Sequence, residues 1–226
     1  MTVTQPPSVA KQTFRDRARA GAEPVARGFG RLGLSPNALT FIGFVFALFA
    51  AGFAAVQSWI GAALLVAIGA SFDMLDGALA RATNKLSRLG AFLDSTIDRA
   101  GEAVVYVGIA IGSLANYPSG AVLAMAAMAA AFMVSYTRAR AESLGFASGK
   151  GLASVGLAAR EVRVVILIVG LLAIGLSGGL PSGFAPFSDT TAISWLILTL
   201  GLITILATIT TIQRIVYVYL QAKKEQ

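Results

Sequence analysis

The chain has 226 residues, of which 56% are hydrophobic and 13% are charged, and its formal net charge is +7. It is too apolar for a soluble domain and too long for a single anchored helix, so the composition predicts an all-α, polytopic membrane protein. The absence of Cys and His excludes disulfides, thiolate zinc sites and imidazole chemistry. Any metal site must use oxygen ligands, which suits Mg²⁺ or Mn²⁺.

The first 34 residues predict a cytoplasmic or interfacial segment that precedes a membrane domain over residues 35–226. Residues 10–32 mix Arg and Lys with Phe, Val and Leu, a pattern typical of an amphipathic helix lying in the membrane interface. A solvated basic tail is the alternative, and Pro24 favours a break within the segment. The polar, basic start lacks the apolar core of a cleavable signal peptide.

Six apolar runs then follow, each long enough to cross a hydrocarbon layer, which takes about 20 residues. They cover residues 38–57, 59–80, 90–113, 120–139, 160–178 and 192–220. The segments between them contain Gly, Pro, Asn and Ser, which end helices. We therefore expect six transmembrane helices.

The basic residues indicate an orientation for these spans. All 18 Lys and Arg precede the first span, lie in or near the second-to-third and fourth-to-fifth connections, or lie near the end of the chain. By the positive-inside rule, both termini and both charged connections face the cytoplasm, as expected for a plasma-membrane protein. The opposite face carries a single predicted charge, Asp189.

Four aspartates lie beside the second and third spans. Asp73 and Asp76 are three residues apart, and Asp94 and Asp98 are four apart, so each pair shares one face of its helix. We expect the short connection to form an antiparallel hairpin that brings the pairs together near the cytoplasmic boundary. A carboxylate at mid-membrane costs about 2.5–3.5 kcal/mol, and clustered carboxylates repel unless cations lie between them. The pattern therefore predicts one or two bound Mg²⁺ ions.

Three nearby residues extend this prediction to a phosphate ligand. Gly77 and Gly90 allow a backbone or a phosphate to approach closely, and Arg81 can hold a phosphate with its planar guanidinium. Together with the carboxylates they predict a pyrophosphate site. Solvated helix ends, structural ion pairs or the ion path of a cation transporter are the alternatives. A transporter should carry carboxylates near mid-membrane on several helices, whereas these crowd two helices near one face.

Eight spaced residues resemble the complete signature of the CDP-alcohol phosphatidyltransferase family: Asp73, Asp76, Gly77, Ala80, Arg81, Gly90, Asp94 and Asp98. The sequence SPNALT at 35–40 also resembles the family's stretch before its first span. The resemblance implies six transmembrane helices, a homodimer, and transfer of a phosphatidyl group from CDP-diacylglycerol to an alcohol with release of CMP. The expected partners are therefore these two substrates and membrane lipid, with no nucleic acid.

The resemblance also implies roles for single residues. Asp73, Asp76 and Asp94 would be metal ligands, with two ions expected, and Asp98 would be a ligand that also takes the proton of the alcohol. The residues expected around the CDP-lipid are Pro36, Asn37, Ala38, Leu39, Asp73, Gly77, Arg81 and Ser87. By the residues alone, Ser35 and Pro36 only indicate a helix start.

Four arginines near the cytoplasmic ends of the last three spans favour a phosphorylated acceptor: Arg138, Arg160, Arg163 and Arg214. Guanidinium groups facing one cavity bind a phosphate better than a neutral alcohol. The sequences LDSTIDR, SYTRARAE and AAREVR are similar to phosphatidylinositol-phosphate synthases, which use inositol 1-phosphate.

The acceptor has alternatives. Relatives that use glycerol 3-phosphate favour Pro and Lys where this chain has Ser95 and Arg99. Several inositol-phosphate relatives, however, carry Lys at the position of Arg138. Glycerol 3-phosphate, serine and neutral inositol therefore stay open as acceptors.

Overall fold

The computed structural model describes residues 24–84, 87–146, 157–180 and 190–223. These residues form seven helices and no strand. A short helix, α1, covers residues 24–31. Six long helices follow: α2 (Pro36–Ala55), α3 (Trp59–Ala82), α4 (Arg88–Leu114), α5 (Pro118–Ser143), α6 (Arg160–Leu176) and α7 (Thr190–Ala222).

The long helices match the six predicted apolar runs to within a few residues at each end. Local chemistry explains two of their starts. The hydroxyl of Ser35 accepts a hydrogen bond from the Ala38 amide at 3.2 Å, and Pro36 occupies the first helical turn of α2. Ser87 caps α4 in the same way, because its hydroxyl accepts from the Gly90 amide at 2.9 Å.

Four of the long helices are long and apolar enough to cross a membrane, namely α2, α3, α5 and α7. Their outward sides carry exposed large apolar residues such as Phe49, Leu64, Val122 and Leu198. Helices α4 and α6 do not meet these criteria of length and hydropathy. Helix α4 carries five charged residues from its first residue to Glu102, and α6 is shorter, with 17 residues. That α4 and α6 also span the membrane stays a prediction.

The six long helices pack as a ring in which each has its main contacts with two others. Helix α2 packs on α3 and α4, α5 packs on α4 and α7, and α6 packs on α3 and α7. Helix α2 therefore provides the main packing surface of both α3 and α4, the two helices of the predicted antiparallel hairpin.

Small residues explain why α2 holds both neighbours. A Cβ added to Gly69 on α3 would lie 3.1 Å from the Gly43 carbonyl oxygen on α2. On the other side, a Cβ at Gly108 or Gly112 of α4 would overlap the backbone of α2. In lipid, helices pack closely where such small residues meet, so these glycines fix how far apart α3 and α4 stand.

Helix α1 packs on the ends of α2 and α3. Its Ala26 is buried in a small cluster with Leu39, Ala78 and Leu79. Pro24 is the first described residue of this helix, so the predicted break at Pro24 stays a prediction. Residues 1–23 of the predicted N-terminal segment lie outside the described residues, and the interfacial position of the segment stays a prediction.

Candidate active site

A cavity of about 50 Å³ lies between α2, α3, α4 and α6. Its charged lining residues are Asp73, Asp98, Glu102, Arg160 and Arg163. The rest of the wall is apolar and comes from Phe44, Ala47, Val66, Ile97, Val105, Val164 and Leu167. One part of the lining therefore suits charged groups of a ligand, and the other suits apolar groups.

The charged side chains gather at one end of this cavity. On α6 Arg160 and Arg163 precede the apolar lining residues and on α4 Asp98 and Glu102 precede Val105, whereas on α3 Asp73 follows Val66. This order is expected if α3 runs opposite to α4 and α6. The charged end therefore lies where α3 ends and α4 and α6 begin, which is the end predicted to face the cytoplasm.

Arg160 connects the aspartates of two helices. Its Nη2 lies 2.5 Å from Asp73 Oδ2 on α3 and 3.1 Å from Asp98 Oδ1 on α4. The three side chains are 24%, 17% and 13% exposed, respectively, so the ion pairs are shielded from bulk solvent but reachable from the cavity. The predicted convergence of the two aspartate pairs is thus present between Asp73 and Asp98, with a guanidinium between them.

Asp76 lies one turn further along α3 and is 4% exposed. The hydroxyl of Thr40 on α2 donates to Asp76 Oδ2 at 2.6 Å. Because a buried carboxylate needs such a donor, Thr40 fixes the orientation of Asp76. The sequence offered a signal for this contact, since Thr40 ends the SPNALT stretch, but its role was missed.

Asp94 is half-buried and completes a group of four interacting carboxylates. Asp73 repels each of the other three, and Asp94 repels Asp76 and Asp98 as well. Two guanidinium groups, those of Arg99 and Arg160, oppose these four negative charges. The carboxyl groups therefore outnumber the guanidinium groups beside them.

This donor set fits a divalent cation, because it supplies carboxyl oxygens, the ligands that such cations prefer, and its carboxyl groups outnumber the guanidinium groups beside them. Within the described ranges, no three acidic side chains are already arranged around one point as a complete ligand set. The guanidinium of Arg160 occupies the space between Asp73 and Asp98.

The residues predicted to contact the CDP portion fall into two groups near the connection between α3 and α4. At the starts of α2 and α4, a Cβ added to Gly90 would lie 3.4 Å from Asn37 Oδ1 and 3.0 Å from Ser87 Oγ. At the end of α3, a Cβ added to Gly77 would lie 3.3 Å from Arg81 Nη1. Both predicted glycines thus lie beneath polar side chains that a phosphate or a nucleotide could contact.

Three further residues of this predicted set have different surroundings. Pro36 and Ala38 are half-buried. Leu39 is fully buried in the cluster with Ala26 and Leu79, so its side chain supports the fold and offers no exposed surface to a ligand.

Arg163 forms a buried pair with Glu102. Its Nε and Nη2 donate to the two carboxylate oxygens of Glu102 at 2.8 and 2.7 Å, and its Nη1 donates to the Ala158 carbonyl at 2.8 Å. The side chains of Arg163 and Glu102 are 1% and 8% exposed. The sequence did not lead us to predict Glu102, although it lies one turn after Asp98 on the helical face that carries Asp94 and Asp98.

The remaining arginines form a second, positively charged region near α5 and α7. Arg214 donates to the Val134 carbonyl at 2.5 Å and is repelled by Arg138, Arg163 and Arg99. Arg138 is exposed and pairs with Glu142 at 2.8 Å. Three of the four predicted acceptor arginines are therefore neighbours, whereas Arg160 lies with the aspartates.

Arg99 also belongs to this positively charged region, although the sequence did not predict it as a site residue. Its Nε donates to Ser135 on α5 at 3.0 Å, and its Nη1 lies 3.3 Å from Asp98 Oδ2. Arg99 therefore lies between the carboxylates and the other arginines.

Residues 33–213 match the family described as CDP-alcohol phosphatidyltransferase. An archaetidylinositol phosphate synthase of Pyrococcus horikoshii is 39% identical over 159 residues, which cover 70% of this chain and 80% of the relative. A phosphatidylinositol phosphate synthase of Cutibacterium acnes is 34% identical over 198 residues, which cover 86% of this chain and 90% of the relative. The family resemblance predicted from the aspartate spacing is thereby confirmed.

Solved structures of a phosphatidylinositol phosphate synthase also resemble this chain. The Mycobacterium tuberculosis phosphatidylinositol phosphate synthase in complex with manganese and citrate superposes with a TM-score of 0.73 at 27% identity, covering 88% of each chain. The structure of that enzyme with CDP-DAG bound gives a TM-score of 0.71 over 88% of this chain and 93% of the other.

The buried pair of Glu102 and Arg163 predicts a large effect on stability. Removing one partner leaves a buried charge without its counter-ion, so Glu102→Gln should lower the free energy of unfolding by about 3–5 kcal/mol. The measurement is denaturation in detergent, and Glu142→Gln is the matched control because its pair with Arg138 is exposed. The control should cost about 0.5 kcal/mol or less. Equal losses in the two variants would contradict this interpretation of the pair.

Proposed function

The chain belongs to the CDP-alcohol phosphatidyltransferase family, and from this premise we propose that it transfers a phosphatidyl group from CDP-diacylglycerol to inositol 1-phosphate. The products would be CMP and phosphatidylinositol phosphate. One observation carries the proposal: carboxylates of α3 and α4 meet a shared positive charge in a cavity that is charged at one end and apolar beyond it. In this proposal, the diphosphate of the donor contacts the charged end and its lipid contacts the apolar wall.

Two observations support inositol 1-phosphate as the acceptor. The two relatives differ in the lipid part of their names, archaetidyl and phosphatidyl, but share inositol phosphate. In this chain, Arg99, Arg138 and Arg214 lie near one another beside the carboxylates, where guanidinium groups could bind the phosphate of an acceptor. Glycerol 3-phosphate is the alternative phosphorylated acceptor.

The metal ligands in this proposal are Asp73, Asp76, Asp94 and Asp98, with two Mg²⁺ or Mn²⁺ ions. Bound divalent ions would neutralise the diphosphate and the charge that grows on the departing CMP. Thr40 orients Asp76 for this task. Arg81, above Gly77, and the Asn37 and Ser87 group would contact the CDP portion of the donor.

The reaction is an in-line displacement at the phosphorus that carries the diacylglycerol oxygen. The acceptor hydroxyl oxygen forms a new bond to this phosphorus, and the bond from phosphorus to the CMP phosphate oxygen breaks. The hydroxyl proton passes to a carboxylate oxygen of Asp98, which lines the cavity. With no His in the chain, a carboxylate is the base that the composition allows.

We place the enzyme in the plasma membrane with its active site and both termini in the cytoplasm. All six long helices would span the bilayer, because α4 and α6 direct charged side chains into the shared cavity and to each other rather than into lipid. Residues 1–34 would form the cytoplasmic or interfacial segment, and residues 35–226 the transmembrane domain. We also expect a homodimer, as the family resemblance implies.

The substrate assignment predicts a specific acceptor profile. Purified protein with CDP-diacylglycerol and Mg²⁺ should release CMP with inositol 1-phosphate, and much less with inositol, glycerol 3-phosphate or serine. Asp98→Asn should lower this rate by about 10²–10⁴-fold, because the base is lost. Asp189→Asn, a carboxylate predicted on the opposite face, is the matched control and should keep the wild-type rate. CMP release with glycerol 3-phosphate alone would overturn the acceptor, and none with any acceptor would overturn the function.

Thr40 predicts a metal-dependent phenotype. Thr40→Val keeps the side-chain shape but removes the donor to Asp76, so the Mg²⁺ concentration for half-maximal CMP release should rise by about 10–100-fold. Thr40→Ser keeps the hydroxyl and should stay near wild type. A Mg²⁺ titration of CMP release compares the three proteins. A Val variant with an unchanged Mg²⁺ requirement would show that Thr40 does not position a metal ligand.

A further inference from the structure

Arg160 lies between two carboxylates that the proposed function assigns to metal ions. Its Nη2 is 2.5 Å from Asp73 Oδ2 and 3.1 Å from Asp98 Oδ1. Carboxylate oxygens that neutralise a guanidinium are less available to another cation, and they repel each other again when the guanidinium leaves. Arg160 and a divalent ion therefore compete for the same two side chains.

We propose that Arg160 is an exchangeable counter-ion, which binds Asp73 and Asp98 when no metal is present and releases them when a divalent ion binds. This inference rests on the proposed function for the identity of the metal ligands. It gives Arg160 a role that the sequence did not predict, since the sequence placed Arg160 with the acceptor phosphate.

The contacts of Arg160 are suited to exchange. Its ion pairs with both aspartates use one nitrogen, Nη2, and its buried Nε has no hydrogen-bond partner within the described structure. The residue is the first of α6, and its side chain is 24% exposed toward the cavity. Few bonds therefore need to break for the guanidinium to leave.

Arg163, one turn later on the same helix, shows the opposite arrangement. It makes three hydrogen bonds through three different nitrogens, and its side chain is 1% exposed. Its partner Glu102 is thereby neutralised by a fixed counter-ion. The comparison indicates that α6 carries one fixed arginine and one that can exchange.

The exchange has a consequence for the second substrate. While Arg160 is bound to the aspartates, its charge is neutralised and it attracts an anion in the cavity only weakly. Once released, it adds a positive charge beside Arg163 in the same cavity. Metal binding would thus favour binding of a phosphorylated acceptor, and by linkage the acceptor would favour metal binding.

The test measures Mn²⁺ binding to the purified protein without either substrate, by the loss of the EPR signal of free Mn²⁺. Arg160→Gln removes the competing cation and should tighten Mn²⁺ binding by about tenfold or more, the factor expected from losing one charge-assisted hydrogen bond. Arg99→Gln is the matched control, because it removes the same charge beside Asp98 but has no contact with Asp73. It should tighten binding by about threefold or less.

If Mn²⁺ binding tightens equally in the two variants, Arg160 acts only through its general positive charge, and the proposal is overturned. Unchanged or weaker Mn²⁺ binding in Arg160→Gln would overturn it as well. Arg160→Lys provides a second variant if the Gln variant does not fold. Its ammonium keeps the charge but stands on a shorter side chain and is more strongly hydrated than the guanidinium, so Mn²⁺ should bind about threefold more tightly than in wild type. Wild-type affinity in this variant would contradict the proposal.

Thermal unfolding separates exchange from a purely structural role. Without metal, Arg160→Gln should unfold at a lower temperature than wild type, because its carboxylates repel each other. Saturating Mn²⁺ should remove most of this difference. A difference that persists at saturating Mn²⁺ would show that Arg160 is structural and would overturn the exchange.

Neither measurement depends on catalysis. Failure of the proposed function would appear as wild-type protein that releases no CMP, whatever its Mn²⁺ affinity. Failure of the exchange would appear as active wild-type protein whose Arg160 variants bind Mn²⁺ as wild type does.

Discussion

Repulsion among four carboxylates is the constraint on which the rest of this site depends. Asp73, Asp76, Asp94 and Asp98 lie at the end of a bundle whose surroundings are apolar, where an uncompensated charge is costly. The structure balances part of this charge with Arg160 and Arg99 and orients Asp76 with Thr40. In the proposed function, the carboxylate charge that these residues leave unbalanced is neutralised by divalent cations.

The bundle supports this arrangement through the position of α2. Because Gly43 and Gly69 let α3 approach, and Gly108 and Gly112 let α4 approach, one helix sets the distance between the two aspartate pairs. With α2 as the shared partner of α3 and α4, a cavity lies between α2, α3, α4 and α6. Its lining is charged at one end and apolar beyond it.

The sequence predicted the helices well, because apolar run length and helix-capping residues act locally. It also predicted the family, because the spacing of Asp73, Asp76, Asp94 and Asp98 is specific. The contacts between helices were harder. That Glu102 pairs with Arg163, that Thr40 donates to Asp76 and that Arg160 lies between Asp73 and Asp98 all depend on which helices are neighbours. Spacing within one helix carries no such information, so the arginines were assigned to a single acceptor site although Arg160 belongs with the aspartates.

Because the chain belongs to a phosphatidyltransferase family, the four carboxylates are assigned to an enzyme rather than to a cation transporter. The account then depends on whether aspartates of both helices bind the same metal. Anomalous diffraction from crystals grown with Mn²⁺ and CDP-diacylglycerol tests this most directly. The account predicts anomalous density about 2.0–2.6 Å from carboxylate oxygens of both α3 and α4. Density bound to one helix alone, or at a site remote from these four aspartates, would contradict it.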